Sequence, residues 1–168
     1  MRSAKDMLNQ QIVSVEEGLI VGKVLEVYLD RDIRHLTGVQ VTFEGLLDRT
    51  RRVIPRDSIR LLGGDVVLVN RADVVRELAE SDTEAWVRRD KVVGREIVTS
   101  GQTRVASIDD IMLGDDAEVT GFKLGRTHIE SPVAKSGAVS RKAIVDIGTY
   151  DRPMVVDLEA AEREDFTS

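Results

Sequence analysis

One short pattern occurs twice in this chain. Met7-Leu8-Asn9-Gln10-Gln11-Ile12-Val13-Ser14 and Val92-Val93-Gly94-Arg95-Glu96-Ile97-Val98-Thr99 each run two apolar residues, a small turn residue, two polar residues, Ile-Val and a hydroxyl residue, 85 positions apart. Val21 to Leu29 then lies over Val105 to Leu113 at an offset of 84. Leu36-Thr37-Gly38-Val39-Gln40-Val41 lies over Val119-Thr120-Gly121-Phe122-Lys123-Leu124, with Thr-Gly shared, and Pro55-Arg56-Asp57-Ser58-Ile59 faces Ser140-Arg141-Lys142-Ala143-Ile144. Both copies close on an apolar stretch, Val66 to Val69 and Met154 to Val156. Each one-residue change of offset falls in a turn, where insertions are tolerated. Collinear matches of this kind predict a tandem duplication of one small unit.

What the unit is follows from its side chains. Hydrophobic residues make up 42% of the 168, but aromatics only 4%, so the core is built from Val, Ile and Leu. Such residues favour pleated strands. The Val21 to Leu29 stretch mixes helical and strand periods, and its copy, with Val105, Ile108, Ile111 and Leu113, decides for a strand carrying a bulge. Asp30-Arg31-Asp32 and Gly114-Asp115-Asp116 read as hairpin loops. Gly38-Val39-Gln40-Val41-Thr42-Phe43 and Gly121-Phe122-Lys123-Leu124-Gly125 read as half-buried alternating strands. Pro55 cannot donate to a sheet ladder, so the Arg52-Val53-Ile54 strand ends there, and one helical turn over residues 56–59 follows. The expected fold is all-β: two tandem small barrels of five or six short strands each, at residues 1–71 and 90–158. A linker at 72–89, helical over Ala72 to Ala79 and with the only Trp, Trp86, plugging the joint, would join them, and 159–168 would form an acidic tail.

The formal net charge is −6, shared as −1 over residues 1–80 and −5 over 81–168, so direct nucleic-acid binding is not expected. There is no cysteine, which removes thiolate nucleophiles and zinc ribbons. No apolar h-region follows Met1-Arg2-Ser3-Ala4-Lys5-Asp6, and the apolar runs are far shorter than a membrane span; a cytoplasmic chain with no transmembrane segment is expected. His35 and His128 are not equivalent in the repeat and predict no metal site. Gly18-Leu19-Ile20-Val21-Gly22 has the wrong spacing for a phosphate cradle. Asp109 and Asp110, adjacent on a strand, point to opposite faces and are poor cooperating carboxylates. No catalytic, cofactor or metal residue is therefore assigned. One polar cluster stands out: Arg49-Thr50-Arg51-Arg52 with Arg56. It reads either as the charged protection of an edge strand or as a basic patch for an acidic protein partner or an RNA backbone.

The opening Ala4-Lys5-Asp6-Met7-Leu8-Asn9-Gln10-Gln11-Ile12-Val13, the Val21-Gly22-Lys23-Val24 stretch leading to Tyr28-Leu29-Asp30, the Thr37-Gly38 turn and the Val53-Ile54-Pro55 strand end resemble PRC-barrel domains. That family includes the cytoplasmic domain of the photosynthetic reaction-centre H subunit and the C-terminal barrel of the bacterial ribosome maturation factor. The second copy departs from the pattern at Ala106 and Ser140, which stand where the first has Gly22 and Pro55. The resemblance implies a non-enzymatic protein-interaction or scaffold module whose partner is another protein. It leaves as alternatives a ribosome- or RNA-processing-associated factor, a photosynthetic reaction-centre-associated protein and a homodimer formed through open barrel edges.

Overall fold

The computed structural model describes residues 2–45 and 49–164. Strands dominate, as the Val- and Ile-rich composition requires. The chain divides into two units, Arg2–Arg88 and one beginning at Arg89.

The first unit opens with a short helix, α1 (Ala4–Met7), whose first turn is capped by the Ser3 hydroxyl accepting the Asp6 N–H at 3.1 Å. Six strands follow: β1 (Gln11–Ser14), β2 (Leu19–Asp30), β3 (Leu36–Thr42), β4 (Arg52–Pro55), β5 (Ile59–Leu62) and β6 (Val66–Val69). A 3-10 turn, Arg56–Ser58, joins β4 to β5, starting at Pro55 as its missing N–H predicts. The sheet is completed by β7 (Arg76–Glu77) and β8 (Trp86–Arg88), with α2 (Glu80–Ala85) between them. Its order is β5-β6-β1-β2-β3-β4-β7, with β8 pairing the far end of β2. Among the described residues of this sheet, only β1 and β6 run parallel.

The second unit contains β9 (Glu96–Thr99), β10 (Arg104–Leu113), β11 (Val119–Thr127), α3 (Pro132–Ser136), β12 (Ala138–Ser140), a 3-10 turn (Arg141–Ala143), β13 (Ile144–Asp146), β14 (Met154–Val156) and α4 (Leu158–Arg163). Its order is β13-β14-β9-β10-β11-β12, with β9 and β14 running parallel as β1 and β6 do in the first unit. Register agrees as well as order. Ile12 faces Gly22 where Ile97 faces Ala106, and Gly38 faces Pro55 where Gly121 faces Ser140. Asn9 and Gly94 are both left-handed, and their N–H groups donate to the carbonyls of Val24 and Ile108.

Both long strands are bulged, as their mixed periodicity predicts: β2 between Val24 and Glu26, β10 between Ile108 and Asp110. The bulge carboxylates are buried, and each accepts the N–H of the next residue, Val27 at 3.0 Å and Ile111 at 2.8 Å. Asp109, by contrast, is exposed, on the opposite face from Asp110. The expected hairpin loops are present, each with one buried residue at positive φ, Ile33 and Ala117. For a β-branched side chain that conformation is strained, and burial in the core holds it there.

Several expectations are corrected. The two sheets curl but do not close: among the described residues, β5 and β7 end the first and β13 and β12 the second. Ala72 to Ala79 is not a helix. It is a 3-10 turn, Ala72–Val74, followed by β7, because pairing with β4 satisfies more backbone groups than a short exposed helix would. β4 is consequently not an edge strand. β3 is buried on both faces rather than alternating; Gln40 stays inside because its Oε1 accepts the Tyr28 hydroxyl at 3.3 Å. The expected acidic tail starts as helix α4, capped by Asp157, with Ala161 buried; residues 165–168 lie outside the described residues. α3 was not anticipated, although its signals are in the sequence: Ser131 caps it, Pro132 opens it and left-handed Gly137 ends it.

Because the only Trp lies in the first unit, its fluorescence reports the unfolding of that unit. Ile54 is fully buried, so Ile54→Ala should cost about 2–5 kcal/mol in urea titrations followed at Trp86, whereas Lys23→Ala, on the exposed face, should change stability by no more than about 0.5 kcal/mol.

Candidate interaction surface

The arginines singled out in the sequence divide into two groups. Arg49 and Arg51 are exposed, and Arg52 is half-buried. They precede or open β4, whose backbone is held from both sides. Val39, Gln40 and Val41 of β3 face Ile54, Val53 and Arg52 on one edge; Glu77 and Arg76 of β7 face Arg52 and Val53 on the other. The Arg51 carbonyl accepts the Leu78 N–H at 2.8 Å. The Arg52 guanidinium lies 5.9 Å from the centre of the Phe43 ring. Arg56 does not join them: it is half-buried, and its Nη1 donates to the Ile59 carbonyl of its own turn at 3.2 Å. Its counterpart in the second unit, Arg141, is buried.

Behind this segment lies an aromatic and charged cluster that sequence reading missed. Trp86 packs against Tyr28 with ring centroids 5.5 Å apart. The indole lies on Gly38, where a Cβ would stand 3.2 Å from the ring and 3.0 Å from the Ile54 carbonyl. The glycine of the Thr37-Gly38 turn thus makes room for Trp86, within the first unit. Arg76 stacks on the indole at 5.6 Å and grips Asp82 with two hydrogen bonds, 2.6 and 3.0 Å long. Asp82 also accepts the Ala79 N–H at 2.8 Å. The Arg76 guanidinium, with that N–H, holds the Asp82 carboxyl below the usual carboxylate range. Burial pushes the Tyr28 phenol up, and the charges of Arg51 and Arg88 only partly offset it. The signal for this cluster was there, a lone Trp followed by Arg88 and preceded by Arg76 and Asp82, but strands of two and three residues carry no periodicity.

The histidines sit apart. His35 Nδ1 is 3.5 Å from Asp30 Oδ2 on the first hairpin, and His128 Nε2 is 3.4 Å from Glu96 Oε2 in the second unit. Among the described residues no three His, Asp or Glu side chains are grouped so as to hold a metal ion, and no helix is long and apolar enough to cross a membrane.

Residues 1–75 match the family model of the PRC-barrel domain. The first unit is thus a PRC-barrel domain by its match. Gly22, which the family resemblance singled out, has a clear task in this PRC-barrel domain: a Cβ there would stand 2.6 Å from the Thr42 carbonyl oxygen and 2.9 Å from a Val41 methyl. No curated protein matches the chain.

The Asp82 geometry sets a pH dependence. A carboxyl whose folded value is depressed stabilises the fold above the unfolded value, near about 3.9, and loses that contribution as pH falls through the folded value. Asp82→Asn should cost on the order of 1 kcal/mol at pH 7, because Arg76 is partly exposed. The gap from the parent chain should close below about pH 4, read by urea unfolding at Trp86.

Proposed function

We propose that the chain is a non-enzymatic protein-interaction module built from two copies of a PRC-type curled-sheet unit, the second diverged from the first. The shared strand order, the matching parallel pair and the equivalent bulges support the duplication. The observation that carries the interaction reading is the exposed Arg49 and Arg51 leading into β4, whose backbone is pinned between β3 and β7 from Arg52 and tied at the Arg51 carbonyl to the Leu78 N–H. A side chain next to a rigid strand, as Arg51 is, gives up less freedom on binding than one on a loose loop. The partner that this basic segment fits is an acidic protein surface. The net charge of −6 gives the chain little attraction for nucleic acid as a whole. It suits a basic ribosomal protein instead, which keeps a ribosome-associated role as the second reading.

The test is affinity capture from the native host with the tagged full-length chain, at low and moderate salt, read by mass spectrometry. One stoichiometric acidic protein is expected, and Arg51→Glu with Arg52→Glu should abolish its recovery while Trp86 fluorescence shows the variant folded. Recovery of ribosomal components favours the second reading. A partner retained by the double variant places the interaction elsewhere, and empty captures at both salt concentrations contradict the module.

A further inference from the structure

The two units share a strand order but not its outer surface. In the first, four apolar residues stand side by side on four neighbouring strands: Leu61 of β5 faces Leu68 of β6, Leu68 faces Val13 of β1, and Val13 faces Ile20 of β2. The two in the middle are half-buried, but the ends are not, with Leu61 53% and Ile20 62% exposed. Val15, just past the end of β1, is also exposed. The same register in the second unit reads Asp146, Val155, Val98 and Arg104. There the ends are charged, and Arg104 is paired with Glu96 at 3.3 Å. The same strand order is therefore compatible with charged ends, so the fold does not require the exposed leucine and isoleucine. An apolar row retained in water without a structural need marks a binding surface.

Size and charge say what it binds. Three strand spacings of about 4.8 Å make the row roughly 14 Å long. That is about ten residues of α-helix at about 1.5 Å per residue. Such a row is far short of the roughly 800 Å² per partner that a stable dimer of folded chains buries. The helical pitch of about 5.4 Å nearly matches the strand spacing, so a helix laid across the strands sets one apolar side chain per strand. Basic residues flank both ends: Lys23 follows Ile20 on β2, and Arg60 precedes Leu61 at the bulge of β5, both exposed. Neither pairs with an acidic group among the described residues. The acidic residues of the turn between β1 and β2 are engaged, Glu16 with Arg71 and Glu17 with the Ser14 hydroxyl and the Ala72 N–H.

We infer that the outer face of the first unit, along Leu61, Leu68, Val13 and Ile20, docks a short amphipathic helix with an acidic polar face from a partner protein. The inference rests on the interaction-module reading but concerns residues other than the arginine segment, so the two can fail separately.

The probe is a fluorescein-labelled, lactam-bridged helical peptide of Leu and Glu with its leucines on one stripe, measured by anisotropy against the full-length chain. Saturable binding is expected, with a scrambled peptide of the same composition binding at least tenfold more weakly. Ile20→Arg with Leu61→Asp introduces the residues that the second unit carries at this register, so the fold should be retained, and it should weaken binding at least tenfold. Lys23→Glu with Arg60→Glu should weaken it several-fold, an effect that shrinks in high salt. Sedimentation should show a monomer. Equal binding by the scrambled peptide, no binding by either peptide, unchanged affinity in the Ile20/Leu61 variant, or a dimer that this variant dissolves would each overturn the inference. So would capture by anionic vesicles that this variant abolishes. If the peptide result fails while Arg51→Glu with Arg52→Glu still abolishes host capture, the module reading stands and the helix-docking inference alone is lost.

Discussion

The curl of each sheet depends on a bulge near the middle of its longest strand. β2 must pair with β1 at one end and β8 at the other while β3 follows its opposite edge, and a straight twelve-residue strand cannot do this. The bulge supplies the bend, but it takes a backbone N–H out of the ladder and leaves it inside. Glu26 in the first unit and Asp110 in the second accept that N–H with their own carboxylates. A buried carboxylate is costly unless it is hydrogen-bonded, and here the hydrogen bond to the bulge meets that condition. Acid and bend thus stabilise each other, and the positions of the flanking strands follow from the bend.

Much of this was legible from side chains. Asn9 and Gly94 read as turn residues because both types tolerate a left-handed backbone, which both adopt. The mixed periodicity around Val24 and Ile108 announced the bulges, and Pro55 announced the end of β4. What escaped was carried by long-range pairing. Val74, Val75 and Leu78 have helical spacing, yet the segment extends to pair with β4, since the unpaired groups of that edge outweigh a weak local preference. Closure into barrels was inferred from strand number, but strand number does not say whether the last edge meets the first. Of the candidate site, the pattern grouped four arginines; the structure keeps Arg49, Arg51 and Arg52 on one segment and turns Arg56 onto its own carbonyl.

The comparison between units separates what the fold requires from what it carries. Positions inside the sheet repeat their chemistry: Ile12 and Ile97, Val27 and Ile111, Ile59 and Ile144 are all buried. The ends of the outer row do not, as Ile20 and Arg104 or Leu61 and Asp146 show. Divergence at outer positions while most buried ones keep their chemistry is what two copies of one scaffold acquire when their surfaces serve different ends.

The central claim is that binding capacity resides in the outer surface of the first unit. Hydrogen–deuterium exchange of the full-length chain, alone and with the partner captured from the host, tests it most directly. Slowed exchange confined to residues 2–88, with exchange from Arg89 onward unchanged, is the result this account predicts. Protection confined to the second unit would contradict it.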